Sequence, residues 1–319
     1  METHTKYIAS LFGLNAKNAN REKFGFLCET EGQGFVLVQK TMATHENLES
    51  VLFQHEVKEH LHRTGFTQTD RFFVTEQGLP YHQASGDLFT VARGFGSPNV
   101  DYAQKDQLLA VVAELGKIHK ISEGVKFGGE PRRRRVLTPP EKALSFMSSQ
   151  RKKLLKAGKF SEFDMIFLRT YEKVEPYIQA WGSIPKDVLG NNNYICHNLM
   201  KEENVFLEDT PIFTNFAAAS YGHYLTDLAY LVKRYLKADP QGDLPMTDIF
   251  EAYKTGHPEA ILDQDFFEAK LMYPDKFIKV VKEYYIKNRS FAPKAYLTRI
   301  EECLERGIAL ENYLQLQKR

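Results

Sequence analysis

Apolar residues fall into two regimes along the chain. Up to about residue 93 they come in short runs separated by glycine-bearing turns, and beyond it they recur every three or four positions over long stretches. FGFLCE (24–29) and FVLVQK (35–40), joined by TEGQG, read as a β-hairpin. A helix is expected over 46–63, where Leu48, Leu52, Val57 and Leu61 recur at near-helical spacing, and Gly65 stops it. FFVTEQG and DLFTVARGF supply two more strand-like runs. Residues 1–93 therefore predict a small sheet with one helix.

After Gly94-Phe95 the pattern turns helical. In 104–121, Leu108, Val111, Val112, Leu115 and Ile118 share one face. In 161–181, Phe163, Ile166, Phe167, Val174, Ile178 and Trp181 do the same, with Pro176 a candidate kink. Two short strands are expected within 195–220, and helices again at about 224–237, 246–255, 263–288 and 294–316. The plan is α+β in two lobes: an N-terminal sheet-plus-helix lobe, 1–93, and a larger, mainly helical C-terminal lobe, 94–319.

Composition narrows the function classes. The net charge is +1, so no global field draws the chain to nucleic acid or membrane. The three cysteines, Cys28, Cys196 and Cys303, are far apart and odd in number, which predicts a reducing compartment and no disulfide framework. The start, METHTKYIASLFGL, carries no secretory pattern, and runs such as LLAVVAEL fall short of the ~20 residues of a membrane span. Cytoplasmic synthesis without a membrane partner is the expectation.

The basic run at 131–135 lacks interleaved aromatics, so an acidic partner protein is expected there and nucleic acid is not. His55, Glu59 and His62 share a helix face, but the second histidine falls one residue late for a zinc-protease motif, and no metal is expected. Cys196 and His197 are adjacent in an extended segment and point to opposite faces, which makes Cys196 a small buried apolar residue rather than a nucleophile.

Candidate chemistry concentrates in ICHNLMKEENVFLEDTPIFTNFAAAS, residues 195–220. Phosphoryl transfer needs a lysine on the phosphates, a metal held by carboxylate and amide oxygens, and a group that orients the attacking hydroxyl. Lys40 ends an early strand, and Glu56 lies on the following helix, with Glu59 as the alternative. His197 and Asn204 stand seven apart. Asn215-Phe216-Ala217 follows the strand-like PIFT, and TDLAYL brings Asp227 shortly after.

In order and spacing the chain resembles the aminoglycoside phosphotransferase and choline kinase group of the protein kinase-like fold. Within it, the chain is similar to the CotS spore-coat family and its YutH-type branch, a likeness carried by LMYPDKFIKVVKEYYIKNRSFAPKAYLTRIEECLERG, residues 271–307. The resemblance implies a Lys40–Glu56 pair in a nucleotide cleft and a lobe junction at Arg93-Gly94-Phe95, where adenine would meet the backbone. It further implies a loop held by His197 and braced by Asp227, with Asn204 and Asn215 as the only metal positions. A spore-coat location, with other coat or assembly proteins as partners, is also implied.

Two positions depart from that pattern. Leu199 stands where the catalytic aspartate belongs, and Asn215 where the metal-binding aspartate belongs. Leucine cannot accept a proton, a loss of ~10²–10⁴-fold, or about 3–5 kcal/mol. An amide brings Mg²⁺ no compensating charge. A glycine-rich phosphate loop is missing as well: LFGLNAKNANREKFGF holds only Gly13 and Gly25.

No catalytic residue is assigned. The expectation is a pseudokinase with a structural or assembly role in the spore coat, needing no cofactor, with ATP and Mg²⁺ relevant only if nucleotide binding survives. Its candidate contact surfaces are the loop at 131–135 and the region of Lys282, Tyr284, Tyr285 and Lys287. Two alternatives stay open. One is an active phosphotransferase with Glu202, Glu203, Glu208 or Asp209 as displaced carboxylates, and the other is a nucleotide sensor without turnover.

Overall fold

The computed structural model describes residues 2–23, 25–128, 139–185, 193–286 and 293–318. It is a mixed α+β structure. Helix α1 (Glu2–Ser10) precedes an antiparallel sheet of β1 (Ala16–Glu22), β2 (Gly25–Thr30), β3 (Gly34–Met42), β4 (His82–Ala84) and β5 (Asp87–Arg93), in the order β1-β2-β3-β5-β4. Helix α2 (His45–Arg63) connects β3 to the second half of the sheet, and the Thr44 hydroxyl caps it by accepting from Asn47 N–H.

Side chains alternate along a strand, so the sheet has two distinct faces. Val36, Val38, Cys28, Phe89 and Val91 pack with Ile8, Ala9 and Phe12 on the α1 face. Leu88 and Ala92 pack with Val51 of α2 and with Phe72 on the other. The hairpin read at 24–29 and 35–40 is β2–β3, with Cys28 opposite Val36. Strand β1 is an edge strand with the polar sequence AKNANRE, largely exposed, and apolar patterning gave no sign of it or of α1. FFVTEQG forms no full strand. Phe72 makes an isolated bridge to Ala92, and the chain then turns at Thr75–Gly78.

Helices α3 (Lys105–Ser122), α4 (Pro140–Ala157) and α5 (Glu162–Ser183) follow. A small β-element comes next, in which β6 (Tyr194–Cys196) pairs with β9 (Ser220–Gly222), and β7 (Val205–Leu207) pairs with β8 (Pro211–Phe213). The chain ends in α6 (Leu225–Ala238), α7 (Met246–Gly256), α8 (Gln264–Met272), α9 (Asp275–Ile286) and α10 (Pro293–Leu316). The single helix expected over 263–288 is two, because Pro274 lacks an N–H and holds Tyr273 out of helical geometry. Pro176, in contrast, sits inside α5 without ending it. Helix α4 was not anticipated, since it buries little beyond Ala143 and Met147.

The large core forms on the α3 face made by Leu108, Val111, Val112, Leu115 and Ile118. Helices α3 and α7 approach closely: a Cβ on Gly116 would lie 2.5 Å from Tyr253 O, and one on Gly256 would lie 2.1 Å from Ala113 O. That approach brings Tyr253 Oη within 2.8 Å of His119 Nδ1.

Helix α2 contributes to two of the three apolar clusters, since Val51 packs on the sheet while Phe53, Val57 and Leu61 join the large core. The segment after α2 is stitched to β8 by Phe213 N–H to Gln68 O (2.9 Å) and Asp70 N–H to Phe213 O (3.3 Å). Here Lys58 Nζ meets Asp70 Oδ2 at 2.7 Å and lies 3.9 Å over the Phe72 ring. Both side chains are buried, and burial lowers the Lys58 pKa while Asp70 opposes the shift.

Breaking a buried ion pair from one side leaves an uncompensated charge. Lys58→Met should cost about 3–5 kcal/mol in denaturant unfolding. The Lys58→Met/Asp70→Leu pair should recover most of that loss. Additive losses across the double-mutant cycle would show that the two groups are not coupled.

Candidate functional site

The loop from Cys196 to Asn204 is positioned by one carboxylate. Asp227, fully buried on the first turn of α6, accepts from His197 N–H (2.6 Å) and Asn198 N–H (2.9 Å). His119 Nε2 lies 3.4 Å from the same carboxylate. Asn198 adopts a left-handed conformation (φ 59°), which asparagine tolerates. Its amide donates to Cys196 O, Ala218 O and Ser220 Oγ, each at 3.1 Å.

His197 is buried and bonded at both ring nitrogens. Nδ1 accepts from Leu199 N–H (3.2 Å), which makes Nε2 the donor to Thr214 O (2.9 Å). The neutral imidazole thus ties the loop to the end of β8. Burial lowers its pKa, against the pull of Asp227.

Asn204 and Asn215 meet. Asn204 Nδ2 donates to Leu199 O (2.8 Å), which turns its Oδ1 toward Asn215. Asn215, left-handed at φ 58°, donates Nδ2 to that oxygen at 3.0 Å. An NH₂ group therefore faces the amide oxygen that would ligate a cation. A carboxylate at 215 would instead turn acceptor oxygens toward the metal position. The half-buried Leu199 side chain stands where a base would be needed.

Lys40 and Glu56 do not pair, which corrects the expectation. Lys40 lies opposite Phe89 in the β3–β5 register, so it projects on the α1 face, where it bonds Asp87 (2.5 Å) with its side chain 61% exposed. Gln39, opposite Thr90, projects on the α2 face. A one-residue step along a strand reverses the side. Glu56 has a buried Oε2 without a partner among the described residues. The alternative, Glu59, is held by Arg71 through a bidentate pair (2.8 and 2.6 Å). His62 bonds Thr69 O, so two of the three groups on the His55–Glu59–His62 face are engaged elsewhere.

The segment between β5 and α3 is packed. Gly94 N–H donates to Phe35 O (2.8 Å), and a Cβ on Gly94 would lie 2.6 Å from Leu27 Cδ1. Phe95 is buried against Phe206, with ring centroids 5.2 Å apart. Arg93 lies over Phe95 and pairs with Glu208 at 3.9 Å. Lys23, at the β1–β2 turn, reaches Glu203 at 3.0 Å and so links sheet to loop. The other carboxylate near the loop, Glu202, is paired with Arg234. Asp209 is exposed. Among the described residues no carboxylate bonds Leu199, Asn204 or Asn215. The residues present thus do not fit a Mg²⁺-nucleotide.

His119, Cys196 and Asp227 place three ligand-type atoms within 4.8 Å of one another. Each is already engaged, Cys196 by His223 O (3.5 Å), His119 by Tyr253 and Asp227, and Asp227 by the loop. The cluster is a structural knot under the loop. The basic run at 131–135 and Lys287 lie outside the described residues. Tyr284 and Tyr285 pack inward, Tyr284 stacked on Phe163 (3.8 Å between centroids) and Tyr285 bonded to Asp164 (2.7 Å). No helix among the described residues is long and apolar enough to cross a membrane.

Sheet, helices and loop together are built on the fold of the aminoglycoside phosphotransferases. An aminoglycoside phosphotransferase from Alicyclobacillus acidocaldarius superposes with a TM-score of 0.81 over 98% of this chain and 95% of that one, at 13% identity. A spectinomycin phosphotransferase solved with ADP and spectinomycin gives 0.66 over 97% and 98%, at 12% identity. An amicoumacin kinase solved with AMP-PNP and Ca²⁺ gives 0.56 over 92% and 87%, at 15% identity. At such identities these likenesses show the fold alone. The chain belongs to the family described as "Spore coat putative kinase YutH", whose profile matches residues 5–316. A search of curated proteins finds no match.

Several histidines around this site are held neutral by burial: His197, His257, and His223, whose pKa falls to about 4. The unfolded chain takes up these protons near pH 6.5, while the folded state resists until about 4 at His223. Stability is thus kept above about pH 6.5 and lost as pH falls toward 4. The thermal midpoint should drop progressively across that window, and a flat profile from pH 7 to about 5 would contradict the burial of neutral imidazoles.

Proposed function

We propose that this chain is a pseudokinase that serves the spore coat as a structural or assembly protein, with other coat or assembly proteins as its partners. The observation that carries the proposal is the Asn215 Nδ2 to Asn204 Oδ1 hydrogen bond, which points an amide N–H at the oxygen a metal would need. Leu199 at the position of the base, and Lys40 turned to the outer face of the sheet, support the same conclusion. The groups that hold the loop remain, whereas those that would act on a phosphate have changed. The family description supports the spore-coat setting.

An active phosphotransferase would need a carboxylate at the loop. The candidates Glu202, Glu203 and Glu208 are each engaged by a cation, and Asp209 is exposed, so no observation favours that reading. A nucleotide sensor would need an open junction, and Leu27, Phe95 and Phe206 pack there.

The test is replacement in a spore-forming cell. Deleting the gene should change the protein composition of the purified coat. A Gln39→Ala/Lys40→Ala variant, altered on both faces of β3, should restore that composition fully at equal protein level. Failure of this variant to restore it, with the protein folded and present, would tie the role to phosphate chemistry and overturn the proposal.

A further inference from the structure

Beneath the loop, between α5, α6, α8, α9 and α10, lies a cavity of about 1380 Å³ that reaches Asn198 and Leu199. It is larger than the ~300–1,000 Å³ of most small-molecule pockets. Ten lysines and arginines line it, against three carboxylates. The whole chain carries 42 basic and 41 acidic residues, so the imbalance is a property of this cavity and not of the composition.

Arg234 is paired with Glu202, Lys201 with Glu203 (3.6 Å) and Lys279 with Glu283 (3.9 Å), and the remaining ion pairs at the wall leave positive charge in excess. Asp275 is shared by Lys233 (3.9 Å) and Lys270 (3.8 Å). Glu302, behind the wall, is shared by Lys276 (2.5 Å) and Arg306 (3.6 Å). Each of these carboxylates thus faces two cations. Lys237 has no carboxylate partner among the described residues, and its pKa is lowered chiefly by the neighbouring Arg234 charge. Lys173 on α5 is exposed at the opposite rim and has no ion pair among the described residues. Like charges gathered in a concave, partly apolar site create a focused positive field, which favours an anionic ligand there. Tyr177, Trp181 and Tyr230 in the same wall offer surface for an organic body.

We propose that this cavity binds a small organic molecule bearing several anionic groups, phosphates or carboxylates. The charged groups would sit among the cations from α6, α9 and α10, and the organic part would lie against the aromatic wall. This goes beyond the structural role above and holds whether or not phosphate is transferred.

Calorimetric titration with inorganic tripolyphosphate and, separately, citrate tests it in the full-length protein at low salt. The expected result is saturable binding of one equivalent. Lys237→Glu and Lys173→Glu should each weaken it by about tenfold or more, the effect of losing one charged contact. Lys254→Glu, on α7 away from the cavity, should leave it unchanged, and unaltered thermal midpoints would confirm that the variants fold. Tighter binding of tripolyphosphate would mark the ligand as a phosphate ester, whereas tighter binding of citrate would mark a polycarboxylate. No saturable binding at millimolar anion, or equal loss in Lys254→Glu, would overturn the proposal.

Discussion

The buried carboxylate of Asp227 sets the geometry around which everything else is arranged. By accepting the backbone N–H groups of His197 and Asn198, it fixes the loop between the two small β-ribbons. A buried charge is tolerable only when hydrogen-bonded in this way, and His119 completes its shell. Once the loop is fixed, His197 can bond both Leu199 N–H and Thr214 O, and Asn204 can reach Leu199 O and Asn215. The close crossing of α3 and α7 at Gly116 and Gly256 serves the same end, because it seats Tyr253 against His119.

This frame belongs to a phosphotransferase fold, yet its interior has closed in on itself. The amide at 215 satisfies the amide at 204 where two oxygen ligands would be expected to face a metal. Near Gly94, Leu27 lies close to the backbone and Phe95 packs on Phe206, and Lys23 bonds Glu203. Lys58–Asp70 ties α2 to the segment that bonds β8 through Gln68 and Asp70. The basic cavity below the loop remains open to a ligand of its own.

Much of the fold was legible because its long helices bury regular apolar stripes, as α3 does with Leu108, Val111, Val112, Leu115 and Ile118. What escaped was polar or interrupted. Strand β1 has almost no apolar face, α4 buries two residues, and Pro274 divides what looks like one helix. In the site, the resemblance in order and spacing to the kinase-like pattern grouped His197, Asn204, Asn215 and Asp227, and the hydrogen bonds of the loop bring them to one place. Lys40 was misassigned because the end of an apolar run does not say which face the last residue occupies. The alternation of Val36 and Val38 on the α1 face held that signal, since it puts Gln39 on the other side. Lys58–Asp70 had no sequence signature, because a lysine on a helix is ordinarily solvated. The basic cavity gathers residues from five helices, which no local pattern joins.

The central claim is that the amide pair has replaced a metal site. Calorimetric titration of the purified protein with ATP, with and without Mg²⁺, tests it most directly. The account predicts that Mg²⁺ gives no gain in affinity at millimolar nucleotide. Clear tightening of ATP binding by Mg²⁺ would mean that Asn204 and Asn215 open to hold the ion, and would contradict it.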